Sequence, residues 1–135
     1  MRAVFDANVA AAAVVFRGEA WACLVKIARR QVFPFGSDYT LAETRDTATE
    51  LARHRKAQHN VGGVLAWYLD KLQLVTPVPL GRQRSRDAKD DPYLGTALAA
   101  QADCIVSYDK DLLELERPFG IVIIRPAQFL KLIKG

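Results

Sequence analysis

Four acidic residues at separate places in the chain have side chains that could bind a divalent cation. They follow apolar segments or begin helical ones, at Asp6, Glu43, Asp91 and Asp109. If the fold brought these carboxylates together, they would repel one another unless protons or a cation neutralised them. Because the set offers oxygen ligands and neither His nor Cys, it favours a hard ion, Mg²⁺ or Mn²⁺, over zinc.

Two of these residues also have a purely structural explanation as helix caps. Asp6 ends an apolar segment, and Asp91 stands before Pro92, so each occupies a position that Asp commonly fills at a helix N-terminus. An N-cap carboxylate that backbone amides hold rigidly can still bind a metal ion. We interpret Asp90 as a solvated neighbour of Asp91.

Glu43 has the strongest structural alternative of the four. Thr40 and Glu43 have the spacing of a capping box, in which the glutamate bonds back to the start of its helix. Ser37 and Asp38 are alternative starting points for the same helix. If the helix begins at either of them, Glu43 lies in its interior and is free to point into a cleft.

Further polar residues flank the candidate ligands. Ser107 could donate a hydroxyl to a carboxylate, and Asn8 could orient Asp6 or cap the next helix. Asp109 and Asp111 follow a buried segment at positions i and i+2, so one could cap a short helix while the other faces the site. We choose Asp109 as the ligand and keep Asp111, Asn8 and Ser107 as accessory candidates.

The formal net charge of +4 permits nucleic-acid binding without requiring it. Its distribution is more informative, because basic residues gather at 53–56 and in the loop that carries Arg82, Arg84, Arg86 and Lys89. These four side chains are candidates for contacts to an RNA backbone, with a solvated basic loop as the alternative. We interpret His54 and His59 as solvated surface residues.

Hydrophobic periodicity and turn residues predict alternating strands and helices. The predicted strands are residues 2–5, Val32–Phe35, Leu74–Val78, Cys104–Ser107 and Ile121–Ile124. The predicted helical segments are Val9–Phe16, Ala20–Gln31, Asp38–Lys56, Val61–Lys71, Pro92–Ala102, Asp109–Leu115 and a terminal helix from Pro126. This alternation predicts an α/β fold: a three-layer α/β/α sandwich around a mainly parallel sheet of four to five strands. Ligands bind at the carboxyl ends of such strands, where Asp6 and Asp109 lie.

The composition fits one globular domain over residues 1–135, with half of the residues apolar and a quarter charged. The two cysteines, Cys23 and Cys104, suggest neither a disulfide framework nor a zinc site. The chain shows no signal-peptide pattern and no apolar segment of membrane-spanning length, so we expect a soluble cytoplasmic protein.

Taken together, the motifs resemble those of PIN-domain ribonucleases, particularly the VapC-like toxin components of toxin-antitoxin pairs. The resemblance covers essentially the whole chain. It rests on the motifs Phe5-Asp6-Ala7-Asn8-Val9, Leu41-Ala42-Glu43, Lys89-Asp90-Asp91-Pro92-Tyr93-Leu94 and Ile105-Val106-Ser107-Tyr108-Asp109-Lys110-Asp111-Leu112, in order and spacing. Ser107 and Tyr108 depart from the family, which more often has Thr and then a small residue.

The resemblance implies a metal-dependent endoribonuclease with Asp6, Glu43, Asp91 and Asp109 in its active site and Mg²⁺ or Mn²⁺ as cofactor. It also implies hydrolysis that leaves a 5′-phosphate and a 3′-hydroxyl, an antitoxin that occludes the pocket, and a homodimer. Candidate partner surfaces lie on the Trp21, Leu24 and Ile27 helix and around Trp67 and Tyr68, although both could be core. The alternatives are an inactive PIN-fold binding module and an Asp-based phosphoryl-transfer protein.

Overall fold

The computed structural model describes residues 1–55 and 59–133. Its strands are β1 (Arg2–Phe5), β2 (Phe33–Gly36), β3 (Gln73–Leu74), β4 (Cys104–Val106) and β5 (Val122–Ile124). Its α-helices are α1 (Ala7–Val15), α2 (Glu19–Ala28), α3 (Asp38–Arg53), α4 (Val61–Lys71), α5 (Asp91–Ala100), α6 (Lys110–Leu113) and α7 (Pro126–Leu132). Short 3₁₀ turns lie at Ala88–Asp90 and Pro118–Gly120.

The five strands form one sheet in the order β3-β2-β1-β4-β5, and every pairing is parallel. The predicted α/β/α sandwich with a parallel sheet is therefore confirmed. The chain builds the sheet outward from β1 to β3, then returns to place β4 on the other side of β1. Ligand sites of such sheets form where the strand order reverses, which here is between the carboxyl ends of β1 and β4.

Strand β1 lies at the centre and is buried on both faces. Alternate side chains point to opposite faces of a strand, and Ala3 and Phe5 accordingly join one core cluster while Val4 joins the other. The first cluster contains Phe129 of α7 and the second contains Leu94 of α5. The central layer is thus fixed on both sides, which holds the end of β1 rigidly.

Helices α1 and α2 meet at a sharp turn. Gly18 has a φ of 148°, a backbone conformation that other residues rarely adopt, and the two helices are bent by 90° relative to each other. Across residues 1–55 and 59–133, no single helix has both the length and the apolar composition needed to cross a membrane. The bent pair α1 and α2 meets those two criteria only when its helices are counted together.

Strand β3 is shorter than the predicted Leu74–Val78, because the chain leaves the sheet after Val75. Pro77 and Pro79 have no N–H group to continue a ladder. The Val75 N–H bonds to the carbonyl of Gly36, and the Val78 N–H instead bonds to the carbonyl of Gly95 on α5. Elsewhere the differences are at element ends: α2 stops at Ala28 and α3 at Arg53. Lys56, the predicted end of α3, lies outside the described residues.

Gly95 is required where the 77–78 backbone crosses α5. A Cβ atom at this position would lie 2.6 Å from the Val78 carbonyl oxygen, closer than packed atoms approach. In Gly95→Ala, overpacking is expected to lower the free energy of unfolding by about 1–3 kcal/mol. The higher helix propensity of alanine offsets about 1 kcal/mol of this loss, so the net change is expected to be destabilising. Urea denaturation of the purified variant measures this change.

Gly62 provides the matched control for that substitution. It also lies in a helix, α4, but a Cβ atom there would meet only the Asn60 Oδ1 atom at 3.6 Å, an ordinary contact. Gly62→Ala is expected to leave stability unchanged or to raise it by up to about 1 kcal/mol. A Gly95→Ala variant as stable as Gly62→Ala would show that the 77–78 segment does not pack tightly on α5.

Candidate metal centre

Asp6 and Ser107 meet at the carboxyl ends of the two neighbouring strands β1 and β4. The Asp6 N–H continues the sheet pairing by donating to the Val106 carbonyl at 2.9 Å. The Ser107 hydroxyl then donates to Asp6 Oδ2 at 2.8 Å. Both residues are buried. A carboxylate held in this way has a fixed orientation at the point where the strand order reverses.

Asp109 and Asp111 follow Ser107 and form part of the same edge. The Ser107 Oγ atom accepts from the Asp109 N–H at 2.9 Å, and Asp109 Oδ1 caps α6 by accepting from the Asp111 N–H at 2.9 Å. The carboxylates of Asp90, Asp109 and Asp111 each offer an oxygen within 4.8 Å of the others. Three hard oxygen donors this close fit the ligand set of a divalent cation such as Mg²⁺ or Mn²⁺.

Asp90 belongs to this cluster, and its interpretation as a solvated residue is wrong. It ends the 3₁₀ turn Ala88–Asp90, is buried, and accepts a hydrogen bond from the hydroxyl of Ser85 at 3.1 Å. The turn directs the Asp90 side chain toward Asp109. A buried carboxylate that faces other carboxylates indicates a cation site more strongly than a surface acid does.

Asp91 lies next to Asp90 but has a different set of partners. Its Oδ2 and Oδ1 atoms accept from the backbone N–H groups of Arg84 and Ser85 at 2.9 and 2.8 Å. The expectation that Asp91 is the N-cap of its helix is wrong, because α5 begins at Asp91 itself and Asp90 occupies the cap position. Asp91 as a metal ligand stays a prediction, and the geometry favours Asp90 for that role.

Glu43 points from the interior of α3 toward α5. The helix begins at Asp38 with Ser37 as its N-cap, so Glu43 lies in the helix interior and does not cap the helix start. Glu43 Oε1 accepts a hydrogen bond from the hydroxyl of Tyr93, and Oε2 accepts one from Tyr39 at 3.1 Å. Glu43 is also near enough to Asp6 for its charge to influence Asp6.

Burial and mutual repulsion shift the protonation of the buried carboxyl groups. Burial is the largest cause that raises the pKa of Asp6 to about 6, and the charges of Asp109 and Glu43 add to it, while the bond from Ser107 lowers it. The pKa of Asp90 is raised as well, by burial first and by Asp109 next. A cation would relieve this repulsion directly.

The raised pKa values predict how the stability of the metal-free protein depends on pH. A carboxyl group with a higher pKa in the folded than in the unfolded chain binds more protons when folded, so stability falls as pH rises through the folded value. For Asp6 that value is about 6. The free energy of unfolding in EDTA is expected to be higher at about pH 5 than at about pH 8, by about 1 kcal/mol from Asp6 alone.

Urea denaturation at the two pH values measures this difference, and a repeat with Mn²⁺ is its control. The cation binds the charged carboxylates of the folded chain, so it is expected to stabilise the protein more at the higher pH. A metal-free protein that gained stability on going from the acidic to the alkaline condition would contradict the prediction.

The predicted accessory and RNA-binding residues have different surroundings. Asn8 is exposed in the first turn of α1, and the hydroxyl that holds Asp6 comes from Ser107. Arg82 and Lys89 are exposed, whereas Arg86 forms an exposed ion pair with Glu114 at 3.7 Å. Arg84 is half-buried, donates to the Leu80 carbonyl, and places its guanidinium 5.2 Å from the centre of the Phe119 ring.

Tyr93, Tyr39 and Ser85 contribute to the site without having been predicted from the sequence. From the sequence, Tyr93 is indistinguishable from an ordinary core residue of α5. Its hydrogen bond to Glu43 joins residues 50 positions apart, so no local pattern indicates it. Tyr39 could have been found, because it precedes Glu43 by one helical turn and i, i+4 pairs are neighbours. His59, interpreted as solvated, is half-buried and its ring bonds to the Val14 carbonyl at 2.7 Å.

A family model described as PIN domain matches residues 2–111. This range includes all the acidic residues of the site, from Asp6 to Asp111. Neither the curated proteins nor the solved structures gave a match.

Proposed function

Since the chain belongs to the PIN-domain family, we propose that it is a Mg²⁺- or Mn²⁺-dependent endoribonuclease acting in the cytoplasm. The observation that carries the proposal is the convergence of Asp90, Asp109 and Asp111 beside the buried Asp6. These carboxylates lie at the carboxyl ends of the strands, the edge of a parallel sheet where ligands bind. An inactive binding module would have no need of such a costly arrangement of buried charge.

The residues that would hold the cation are Asp90, Asp109 and Asp111, with Asp6 beside them. A divalent ion bound there supplies Lewis-acid polarisation of a phosphodiester and lowers the pKa of water. Ser107 fixes the Asp6 carboxylate and, through the N–H of Asp109, the start of α6. Asp6 and Asp90 are buried, which strengthens the electrostatic interactions of their charges, whereas Asp109 and Asp111 are half-buried.

The basic loop at residues 82–89 would position the RNA. Arg82 and Lys89 are exposed and can reach phosphates, whereas the guanidinium of Arg84 already contacts Leu80 and Phe119. Asp91 anchors this loop to the start of α5 through the N–H groups of Arg84 and Ser85. Phosphate contacts of this kind give affinity and register but little sequence choice.

Incubation of the purified protein with labelled single-stranded RNA and DNA tests the proposal. Cleavage of RNA with Mn²⁺ or Mg²⁺, its loss in EDTA, and products with a 5′-phosphate are expected. Asp6→Asn should abolish cleavage, while Asp70→Asn, which changes an exposed acid on α4, should not. Cleavage that persists in EDTA, or full activity of Asp6→Asn, would overturn the proposal.

A role as the toxin of a toxin-antitoxin pair, working as a homodimer, extends this proposal. Of the predicted partner surfaces, Leu24, Ile27 and Tyr68 are core residues. Trp21 and Trp67, together with Leu24, line an apolar groove of about 450 Å³ between α2 and α4. Arg17 and Lys71 lie over these two rings, so the groove suits an amphipathic helix with acidic flanks from an antitoxin.

Expression in a bacterial host tests the toxin role. Induction of the wild-type chain is expected to arrest growth, an Asp6→Asn chain is expected not to, and co-expression of a short neighbouring gene should restore growth. Normal growth with a catalytically active chain would remove the toxin role and leave the nuclease proposal intact.

A further inference from the structure

Both oxygens of the Glu43 carboxylate are occupied by tyrosine hydroxyl groups. Tyr93 of α5 donates to Oε1, and Tyr39 of α3 donates to Oε2 at 3.1 Å. The two rings also pack edge to face, with centroids 6.5 Å apart and an interplanar angle of 79°. Glu43 therefore has no freedom to rotate its carboxylate without breaking one of the two bonds.

The surroundings keep both tyrosines in place as donors. Tyr93 is completely buried, and a neutral phenol in such a position must donate its proton to an acceptor. One turn along α5 from Tyr93, the buried hydroxyl oxygens of Thr96 and of Ser37, the N-cap of α3, lie 3.1 Å apart and share a hydrogen bond. The donors and the acceptor thus belong to one rigid unit before any ligand arrives.

We propose that Tyr93 and Tyr39 are positioning residues that hold the Glu43 carboxylate in a fixed orientation for RNA cleavage. This inference rests on the proposed nuclease function. The oxygens within 4.8 Å of one another belong to Asp90, Asp109 and Asp111, so among the described residues Glu43 stands outside the closest acidic group. Its contribution then depends on where its charge is held, which the two tyrosines determine.

The two tyrosines are expected to differ in importance. The Tyr93 hydrogen bond is buried, whereas Tyr39 is 41% exposed and water can replace its hydroxyl. Tyr93→Phe is expected to lower kcat about tenfold with KM within about twofold, and Tyr39→Phe to lower kcat by about twofold to threefold. Tyr108→Phe, which removes a hydroxyl bonded to Glu19 at 3.0 Å, is a matched control that should retain wild-type activity within about twofold.

A double-mutant cycle with Glu43→Gln separates positioning from general structural support. If Tyr93 acts through the charge of Glu43, Tyr93→Phe should cost less than about twofold once that charge is absent. The rate is measured at saturating Mn²⁺, and melting temperatures establish that each variant is folded. An equal loss from Tyr93→Phe in the wild-type and Glu43→Gln chains would overturn the inference.

The outcomes also separate this inference from the function on which it rests. A wild-type chain that cleaves RNA while the cycle shows no coupling overturns only the role of the tyrosines. A folded wild-type chain that cleaves no RNA with Mn²⁺ or Mg²⁺ overturns the proposed function and this inference with it.

Discussion

Replacing Asp90 with asparagine is expected to lower the Mn²⁺-dependent rate of RNA cleavage by about 100-fold or more. The side chain is buried among the carboxylates of Asp109 and Asp111, so the substitution removes one charge from the closest acidic group. Asparagine keeps the shape and can still accept the hydrogen bond from Ser85. Single-turnover cleavage of labelled RNA measures the effect, and circular dichroism confirms the fold.

Asp91→Asn is the control, since it makes the same chemical change one residue later. The amide offers one oxygen to two N–H donors, Arg84 and Ser85, so one donor loses its acceptor. We expect a stability loss of about 1–3 kcal/mol from this unpaired group, with a rate loss of less than about tenfold. If Asp91→Asn were instead the more damaging of the two, Asp91 would be restored as the ligand.

Phe129→Ala is expected to lower the free energy of unfolding by about 3–5 kcal/mol. Phe129 of α7 is completely buried and packs edge to face on Phe5, with ring centroids 5.6 Å apart. The substitution would leave a cavity next to Phe5, the residue that precedes Asp6. Urea denaturation measures the loss.

The control for this prediction is a substitution that shortens an exposed side chain on the same helix. Leu132 is 54% exposed, so Leu132→Ala is expected to change stability by no more than about 0.5 kcal/mol. The comparison also tests the packing of a helix that lies beyond the residues matched by the family model. Similar small effects of both substitutions would show that α7 is not part of the cooperative core.

Alternating apolar strands and helices were sufficient to predict the parallel sheet and the edge that carries the site. Strand β1 and the helix Val61–Lys71 were predicted with their observed bounds, because strong periodicity and clear breaks surround both. Strand β3 was not, because apolar residues continue past Leu74 while the hydrogen-bond partners change from β2 to α5. Such partners belong to tertiary structure and leave no local pattern.

The choice between Asp90 and Asp91 shows the same limit at the site. Local rules favour Asp91 as the helix cap, because it stands directly before a proline. Asp90 and Asp91 are the same residue type, so composition does not show which of them is the metal ligand. The difference arises from the 3₁₀ turn at Ala88–Asp90, which points one carboxylate to Asp109 and the other to the loop. The partnership of Tyr93 with Glu43 is equally long-range, since it depends on how α3 and α5 pack.

The bond between Asp6 and Ser107 joins positions 101 residues apart, and β4 must pair with β1 before it forms. During synthesis on a ribosome, Asp6 is therefore made long before the residues from Ser107 to Asp111, which complete the pocket. The cleavage activity that we propose would begin only after the segment through Asp111 has left the exit tunnel and the central pairing has closed. For the nuclease that we propose, the strand order leaves the nascent chain inactive until four of the five strands of the sheet have been synthesised.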